Sequence, residues 1–403
     1  MRLFQKIMSN LKKGLSAILI AGVSFFVIYS IVTYNQKQSI FEEVSSSDET
    51  NSDIQDKDVS LNTDISDPDE NKVSHISTPE ELRGIYMTSW VAGNSRLRER
   101  LILFIEETSL NTIVIDVKIS SGEISFKIDN EYLSSFNSFS RRVRDIDDLI
   151  SELHEKGIYV VGRVVVFQDS HYASIRPDQA VQNKEGDTWE SYNGSSWVDP
   201  SSKDMWKYIA VLSEEVYNLG FDEINYDYIR FPTDGNLSDI VYPLSGARLA
   251  NEQKTDILKD FLSYIDGEVR SKKIPVSVDV FGLVAVAGGD IGIGQILEDI
   301  VPYVDYISPM VYPSHFADGW SGYQNPAEYP YEVIYETMNS AKQRLIAIGD
   351  DPQKIRPWLQ DFSLGYSYGI SEVQAQMQGV IDSGLNSWMM WNASNKYTNK
   401  AYE

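Results

Sequence analysis

Apolar and polar positions divide the chain into three unlike parts. From Gly14 to Tyr34 no residue is charged, and the run is long enough to cross a bilayer as a helix. From Gln36 to about Pro79 the chain turns Ser-, Asp- and Glu-rich with almost no aromatic residues. That composition offers too little apolar surface to offset the entropy of ordering it. From Arg83 onward, short apolar runs alternate with segments of helical period, the rhythm of repeated strand–helix units.

Strands are expected at Gly84–Trp90, Thr112–Lys118, Ile158–Phe167, Phe221–Tyr228, Ile274–Phe281, Val304–Met310, Ile355–Phe362 and Leu385–Trp391. Helices are expected at Arg96–Thr108, Ile146–Lys156, Lys203–Leu219, Asn251–Arg270, Ile291–Ile300, Tyr331–Ala347 and Glu372–Asp382. Gly157, Gly220 and Gly384 close three of them, as C-terminal glycines do. Eight such units in roughly 320 residues predict an α/β fold, a (β/α)8 TIM barrel. The runner-up is a doubly wound sheet, but Thr88–Asn94, after the first strand, lacks a Gly-rich phosphate turn. No closing helix is evident after the eighth strand.

The N-terminal apolar run follows Arg2, Lys6, Lys12 and Lys13, and Glu42, Glu43 and Asp48 come after Lys37. The positive-inside rule then places the N-terminus in the cytoplasm. The run exceeds a usual signal-peptide core, and Tyr34-Asn35-Gln36 offers no small-residue cleavage pattern. The expectation is a cytoplasmic basic tail over 1–13, a transmembrane signal anchor over 14–34, a disordered acidic linker over 35–79 and an extracellular barrel domain over 80–403. A cleaved signal peptide is the alternative. A net charge of −24 argues against nucleic acid as a partner, because phosphates would be repelled. Absence of cysteine excludes disulfides, thiolate catalysis and thiolate metal sites. The four histidines are scattered without metal-ligand spacing, so neither a metal nor another cofactor is expected.

Candidate chemistry gathers at the strand ends. In Phe221–Tyr228, Glu223, Asn225 and Asp227 share one face, and Ile224, Tyr226 and Tyr228 share the other. Both faces of such a strand are covered, so three inward polar residues are costly unless they serve a site. Asp227 stands near the C-terminal end, where barrel enzymes place their chemistry. Asp116 and Lys118 share a face of strand two, Arg163 lies in strand three, and Asp279 faces away from Val278 and Val280 in strand five. Hydrolysis of a glycosidic bond needs one carboxyl to protonate the leaving oxygen and another as nucleophile or base. Burial and like charge raise one pKa above the other, as that division requires.

Asp227 and Asp279 are therefore the expected pair, with Asp116 a supporting acid and Arg163 orienting one of them. Asp116 has the plainer alternative of an ion pair with Lys118 or Arg163, and Asp279 that of a structural buried carboxylate. Trp90, Tyr228, Arg230, Tyr312, His315 and Trp391 lie at strand ends or just beyond and are the expected substrate contacts. Aromatic faces there suit the apolar C–H faces of sugars, and His315 reads as a hydrogen-bonding residue. The long segment Gln168–Pro200, with Trp189 and Trp197, is expected to cover the cleft and stack on sugar, the plainer alternative being that the tryptophans are core residues under a long loop.

Arg83-Gly84-Ile85-Tyr86, Asn111–Lys118, Asn225–Pro232, Asp279-Val280-Phe281-Gly282 and Ser308–Pro313 together resemble the bacterial "putative glycosyl hydrolase domain" family, formerly a domain of unknown function in the TIM-barrel glycosidase group. The resemblance covers about Glu81 to Tyr397, and Asp-Tyr-Ile-Arg-Phe-Pro at 227–232 is its most specific part. It implies a barrel and carbohydrate hydrolysis, and supplies no substrate. Phe221-Asp222-x-x-Asn225-x-Asp227 is also similar to the acidic strand-four motif of chitinase-type glycosidases. That motif's terminal glutamate falls at Ile229 here, which speaks against substrate-assisted chemistry. The combined expectation is a membrane-anchored extracellular glycoside hydrolase acting on a cell-envelope or environmental polysaccharide. Its rival is a non-hydrolytic carbohydrate-binding or wall-organising protein on the same barrel, favoured by the lack of a glutamate at the expected strand ends.

Overall fold

The computed structural model describes residues 74–403; the expected tail, anchor and most of the linker lie outside them. Among the described residues no helix is long and apolar enough to cross a membrane. The strands are β1 (Arg83–Met87), β2 (Thr112–Lys118), β3 (Tyr159–Val165), β4 (Glu223–Asp227), β5 (Val276–Phe281), β6 (Tyr306–Met310), β7 (Trp358–Gln360) and β8 (Trp388–Trp391). They pair in parallel and in chain order, and β1 closes the ring on β8. Helices α1 (Ser95–Glu106), α2 (Ile146–Glu155), α3 (Lys203–Asn218), α4 (Lys254–Glu268), α5 (Leu297–Ile300), α6 (Pro330–Ala347) and α7 (Ile370–Asp382) follow β1 to β7 in turn. This is a (β/α)8 barrel, as the alternation of apolar runs predicts.

The strands are covered on both faces. Every residue of β2 and β3 is buried. Ile113, Ile115 and Val117 pack in the layer between barrel and helices, while Val114 joins Tyr86, Tyr159, Val161, Trp358 and Met389 inside the barrel. The helices answer with apolar stripes at three- and four-residue spacing; α3 buries Met205, Ile209, Leu212 and Val216. A Cβ at position 162 of β3 would stand 3.0 Å from the Phe221 and Val117 side chains and 3.2 Å from Val216 of α3. Gly162 lets that helix seat directly on the sheet.

Three local features depart from the pattern read in the sequence, and the end of the chain after β8 follows it. β1 stops at Met87 because Thr88 caps a short helix, Ser89–Ala92, its hydroxyl accepting from the Val91 N–H at 3.2 Å. α5 is far shorter than expected: the Asp290 carboxyl accepts from the N–H groups of Gly292 and Gly294, holding that glycine-rich stretch as a turn. No helix follows β8 among the described residues. Ala401 and Tyr402 are buried in that region. There the Tyr402 ring meets Phe104 of α1 edge-on at 5.3 Å, and its hydroxyl donates to Asp361 at 2.6 Å. Residues 74–79, the last of the expected linker, lie along the N-terminal rim of the barrel. The Ile76 N–H donates to Asp222 at 2.7 Å, and His75 stacks on Tyr217 at 3.9 Å.

Candidate active site

The two-residue period of β4 builds the barrel interior in layers. Glu223, Asn225 and Asp227 share its inward face and all are buried. Lowest, Glu223 accepts from Arg356 at 2.9 Å and from the Tyr159 hydroxyl at 3.1 Å. In the middle, the Asn225 amide donates to Ser277 at 3.1 Å and to Asp279 Oδ1 at 3.0 Å. Tyr226 pairs with Val278, so one position further on Asp227 and Asp279 stand at the same height on neighbouring strands.

Arg163 organises the upper layer. It donates to Asp116 Oδ1 at 2.7 Å and, through Nη2 and Nε, to Asp227 Oδ2 at 2.5 and 3.2 Å. Asp116 and Arg163 face each other in the β2–β3 register, and the Tyr86 hydroxyl donates to the other Asp116 oxygen at 2.6 Å. Lys118 takes no part, because the ladder shifts register between Asp116 and Lys118. Its ammonium, wholly buried, pairs with Asp169 at 2.7 Å and donates to the Val165 carbonyl at 2.6 Å. Of the two ion-pair partners open to Asp116 from sequence, Arg163 is the one it meets.

Three carboxyls thus face one guanidinium. Burial alone would lower the Arg163 guanidinium, but Asp227 and Asp116 outweigh it and hold the group well above its ordinary value. Asp279 is placed otherwise. The Trp358 indole N–H donates to its Oδ1 at 2.8 Å, alongside Asn225. Burial first, and the Asp227 charge second, push the Asp279 carboxyl up to about 8, against the pull of Arg163. Just past the pair, Tyr228 adopts φ +56°, a left-handed conformation costly for an aromatic residue. Its N–H there donates to Asp227 Oδ1 at 2.6 Å.

Opposite the charged strands, β7, β8 and β1 carry an aromatic wall. Tyr86 stacks on Trp391 with centroids 4.1 Å apart, and Trp358 meets Trp391 edge-on at 5.6 Å. The Arg163 guanidinium carbon lies 5.5 Å from the Trp391 ring. Trp391 is half-buried, whereas Trp358 and Tyr86 are buried.

The remaining predicted contacts are spread more widely. Tyr228 is half-buried, with its ring 5.9 Å from that of Trp197. Arg230 is buried, its guanidinium 4.7 Å from the Trp197 ring and 4.8 Å from that of Phe281, and it donates to the Phe231 carbonyl and Thr233. Tyr312 is buried edge-on to His315 at 5.2 Å and to Phe362 at 5.7 Å. Burial pulls His315 down to about 3, so its ring is neutral, and Nδ1 lies 2.9 Å from the Ser314 hydroxyl. Trp90 is exposed on the short helix after β1, under Arg142 at 4.8 Å.

The segment 168–200 corrects an expectation. Trp189 and Trp197 are 3% and 0% exposed, so they are core residues and offer no face to a sugar. The segment is folded on itself through bridges such as Gln168 with Trp197 and Ala180 with Val198, and it carries a helix, Ser170–Ile175. Sequence reasoning also passed over Tyr86, Trp358 and Arg356. Alternation was the available signal: Tyr86 shares a face with Gly84, and Trp358 shares one with Gln360.

Chemically, a protonated carboxyl beside an ion-paired carboxylate can give a proton at one point and supply a nucleophile or base at another. The fold recurs among solved proteins. The PgaB (BpsB) glycoside hydrolase domain from Bordetella bronchiseptica superposes with a TM-score of 0.55 at 14% identity, over 78% of this chain and 94% of that one. Alpha-L-fucosidase isoenzyme 2 from Paenibacillus thiaminolyticus gives 0.52 at 14% identity, over 80% of this chain and 48% of that one. A hypothetical protein from Ruminiclostridium thermocellum ATCC 27405 is 26% identical over 49% of this chain and 97% of its own, with a TM-score of 0.44. No curated protein matches. The model of one family spans residues 84–397, from β1 to beyond β8 and across every carboxylate of the site. The chain therefore belongs to the family described as "Putative glycosyl hydrolase domain".

Proposed function

We propose that the domain hydrolyses a glycosidic bond, with Asp279 as the acid and Asp227 as the nucleophile or base. The observation that carries this is the pair itself: two carboxyls at one height on neighbouring strands, one raised by burial and one ion-paired to Arg163. In the reaction the Asp279 proton passes to the glycosidic oxygen as its bond to the anomeric carbon breaks, the electron pair leaving with that oxygen. Asp227 either attacks the carbon or deprotonates the water that does, and the water finally supplies the hydroxyl to the sugar and returns a proton to the enzyme. Arg163 orients Asp227 and ties it to Asp116, and Trp391, the half-buried member of the aromatic wall, offers a face to the sugar ring.

The substrate proposed is a cell-envelope or environmental polysaccharide, reached by a domain held outside the cell by the anchor at 14–34. Family membership supports the reaction class; the charge asymmetry around the apolar run supports the location. A non-hydrolytic carbohydrate-binding protein is the second reading, favoured by the near-complete burial of Asp227 and Asp279, 5% and 2% exposed. Reducing-end release from polysaccharides and wall preparations, by wild type and by Asp227→Asn, separates the two. The enzyme reading expects release by wild type that Asp227→Asn abolishes. Equal oligosaccharide binding with no release by either protein would establish the binding reading instead.

A further inference from the structure

Asp279 receives two N–H groups on a single oxygen. Trp358 Nε1 and Asn225 Nδ2 both donate to Oδ1, at 2.8 and 3.0 Å, and among the described residues no group donates to Oδ2. In a neutral carboxyl one oxygen bears the proton and the other accepts. Two fixed donors on Oδ1 therefore decide which is which. The indole cannot easily turn away. Trp358 is 1% exposed, its backbone pairs with Met310 and Met389 on either side, and its ring is held edge-on to Trp391.

We infer that Trp358 is a positioning residue for the acid: with Asn225 it pins Oδ1 of Asp279 as the acceptor, so that Oδ2 carries the proton toward the leaving oxygen. The inference rests on the reading of Asp279 as the acid. It gives the aromatic wall a polar role at each end, since Tyr86 holds Asp116 through its hydroxyl as Trp358 holds Asp279 through its N–H. The charged groups that act on Asp279 are Asp227 on β4 and Arg163 on β3; Arg163 also meets Asp116 on β2, to which Tyr86 on β1 donates, and Glu223 and Arg356 pair with each other in the layer below. Trp358 and Asn225 are the neutral donors to Asp279, and their bonds favour the ionised carboxyl, working against the burial that raises the group.

The test is the infrared C=O band of the protonated Asp279 carboxyl, identified as the band lost in Asp279→Asn and followed over pH in wild type and W358F. W358F keeps an aromatic ring and removes the donor together with part of the indole's buried volume, and Asn225→Ala, which leaves the indole in place, controls for that loss. The expected result is a band moved to higher frequency and a titration midpoint raised by on the order of one pH unit, since a hydrogen bond to the charged form is lost. Asn225→Ala, which removes the other donor, must shift both in the same sense, and supplies the reading should W358F fail to fold. An unchanged band and midpoint overturns the inference. Neither reading needs a substrate. A shifted band without turnover of any glycan defeats the hydrolase reading alone, and turnover with an unshifted band defeats the positioning alone. On a cleaved substrate, the basic limb of kcat/KM in W358F moves up by the same interval while KM holds.

Discussion

Glu223 and Asp227 leave the same strand face four residues apart, yet they end in opposite electrostatic situations. Below, one carboxylate meets one guanidinium, Arg356, with the Tyr159 hydroxyl on the same oxygen, and both charged side chains are all but enclosed. Above, Asp116, Asp227 and Asp279 share the single guanidinium of Arg163. Balanced charge at the lower end can be buried and left alone. At the upper end burial first, and the excess negative charge second, keep a proton on Asp279. A proton held among carboxylates is one the site can give away. β4 thus closes the barrel floor with one residue and serves the chemistry with another, in keeping with the general contrast between the two faces of such barrels.

The two layers differ most under substitution of their acids. Asp227→Asn should lower turnover by about two to four orders of magnitude, and Asp279→Asn comparably, the usual scale for a positioned acid or base. The double variant should cost much less than the product of the two, because they act as a unit. Steady-state rates on a cleaved glycan check this, and near wild-type turnover by Asp227→Asn would refute the assignment. At the lower end Glu223→Gln should instead cost about 3–5 kcal/mol of stability, since it strands the Arg356 charge in the interior. Denaturant unfolding reads that loss. If Asp227→Asn cost as much stability as Glu223→Gln, the contrast between the layers would collapse.

A comparable stability effect belongs to the segment after β3. Trp197→Ala should destabilise by about 3–5 kcal/mol, as loss of a fully buried indole does. Trp391→Ala should cost less stability and chiefly raise KM, because its half-buried face is offered to the sugar. Thermal unfolding beside kinetics distinguishes the two, and equal losses of stability would place Trp391 in the core with Trp197.

Much of this was legible in the chain. Eight covered strands betray themselves as apolar runs, and the inward aspartates stand out because period two puts them among residues that must be buried. Asp116, Arg163, Asp227 and Asp279 were found that way, and the barrel brings all four together. Trp358 and Tyr86 were not, since an aromatic residue in a strand reads as ordinary core. The carboxyl each tip reaches lies elsewhere in the ring, at a place set by closure of the barrel and by no local period. Trp189 and Trp197 misled in the other direction. A long polar segment with two tryptophans reads as a binding loop, and the isolated bridges that fold it inward leave no periodic mark. The Asp290 turns explain the missing start of α5 in the same way, as side-chain chemistry overriding helical period.

The most direct test of the upper layer needs no substrate. The native state keeps the Asp279 proton until about pH 8, whereas the unfolded chain gives it up near its ordinary value of 3.8. Between those values the native state binds more protons, so stability contributed by Asp279 falls as pH rises and levels off above about 8. Asp234, raised to about 6 by burial, has the same sign but is common to both proteins and cancels in the difference. The measurement is the unfolding free energy of wild type minus that of Asp279→Asn, taken across pH 4 to 9. A difference that declines steadily to about pH 8 and then flattens is the predicted result; one that stays level throughout would mean Asp279 is already ionised in the native state and holds no proton to donate.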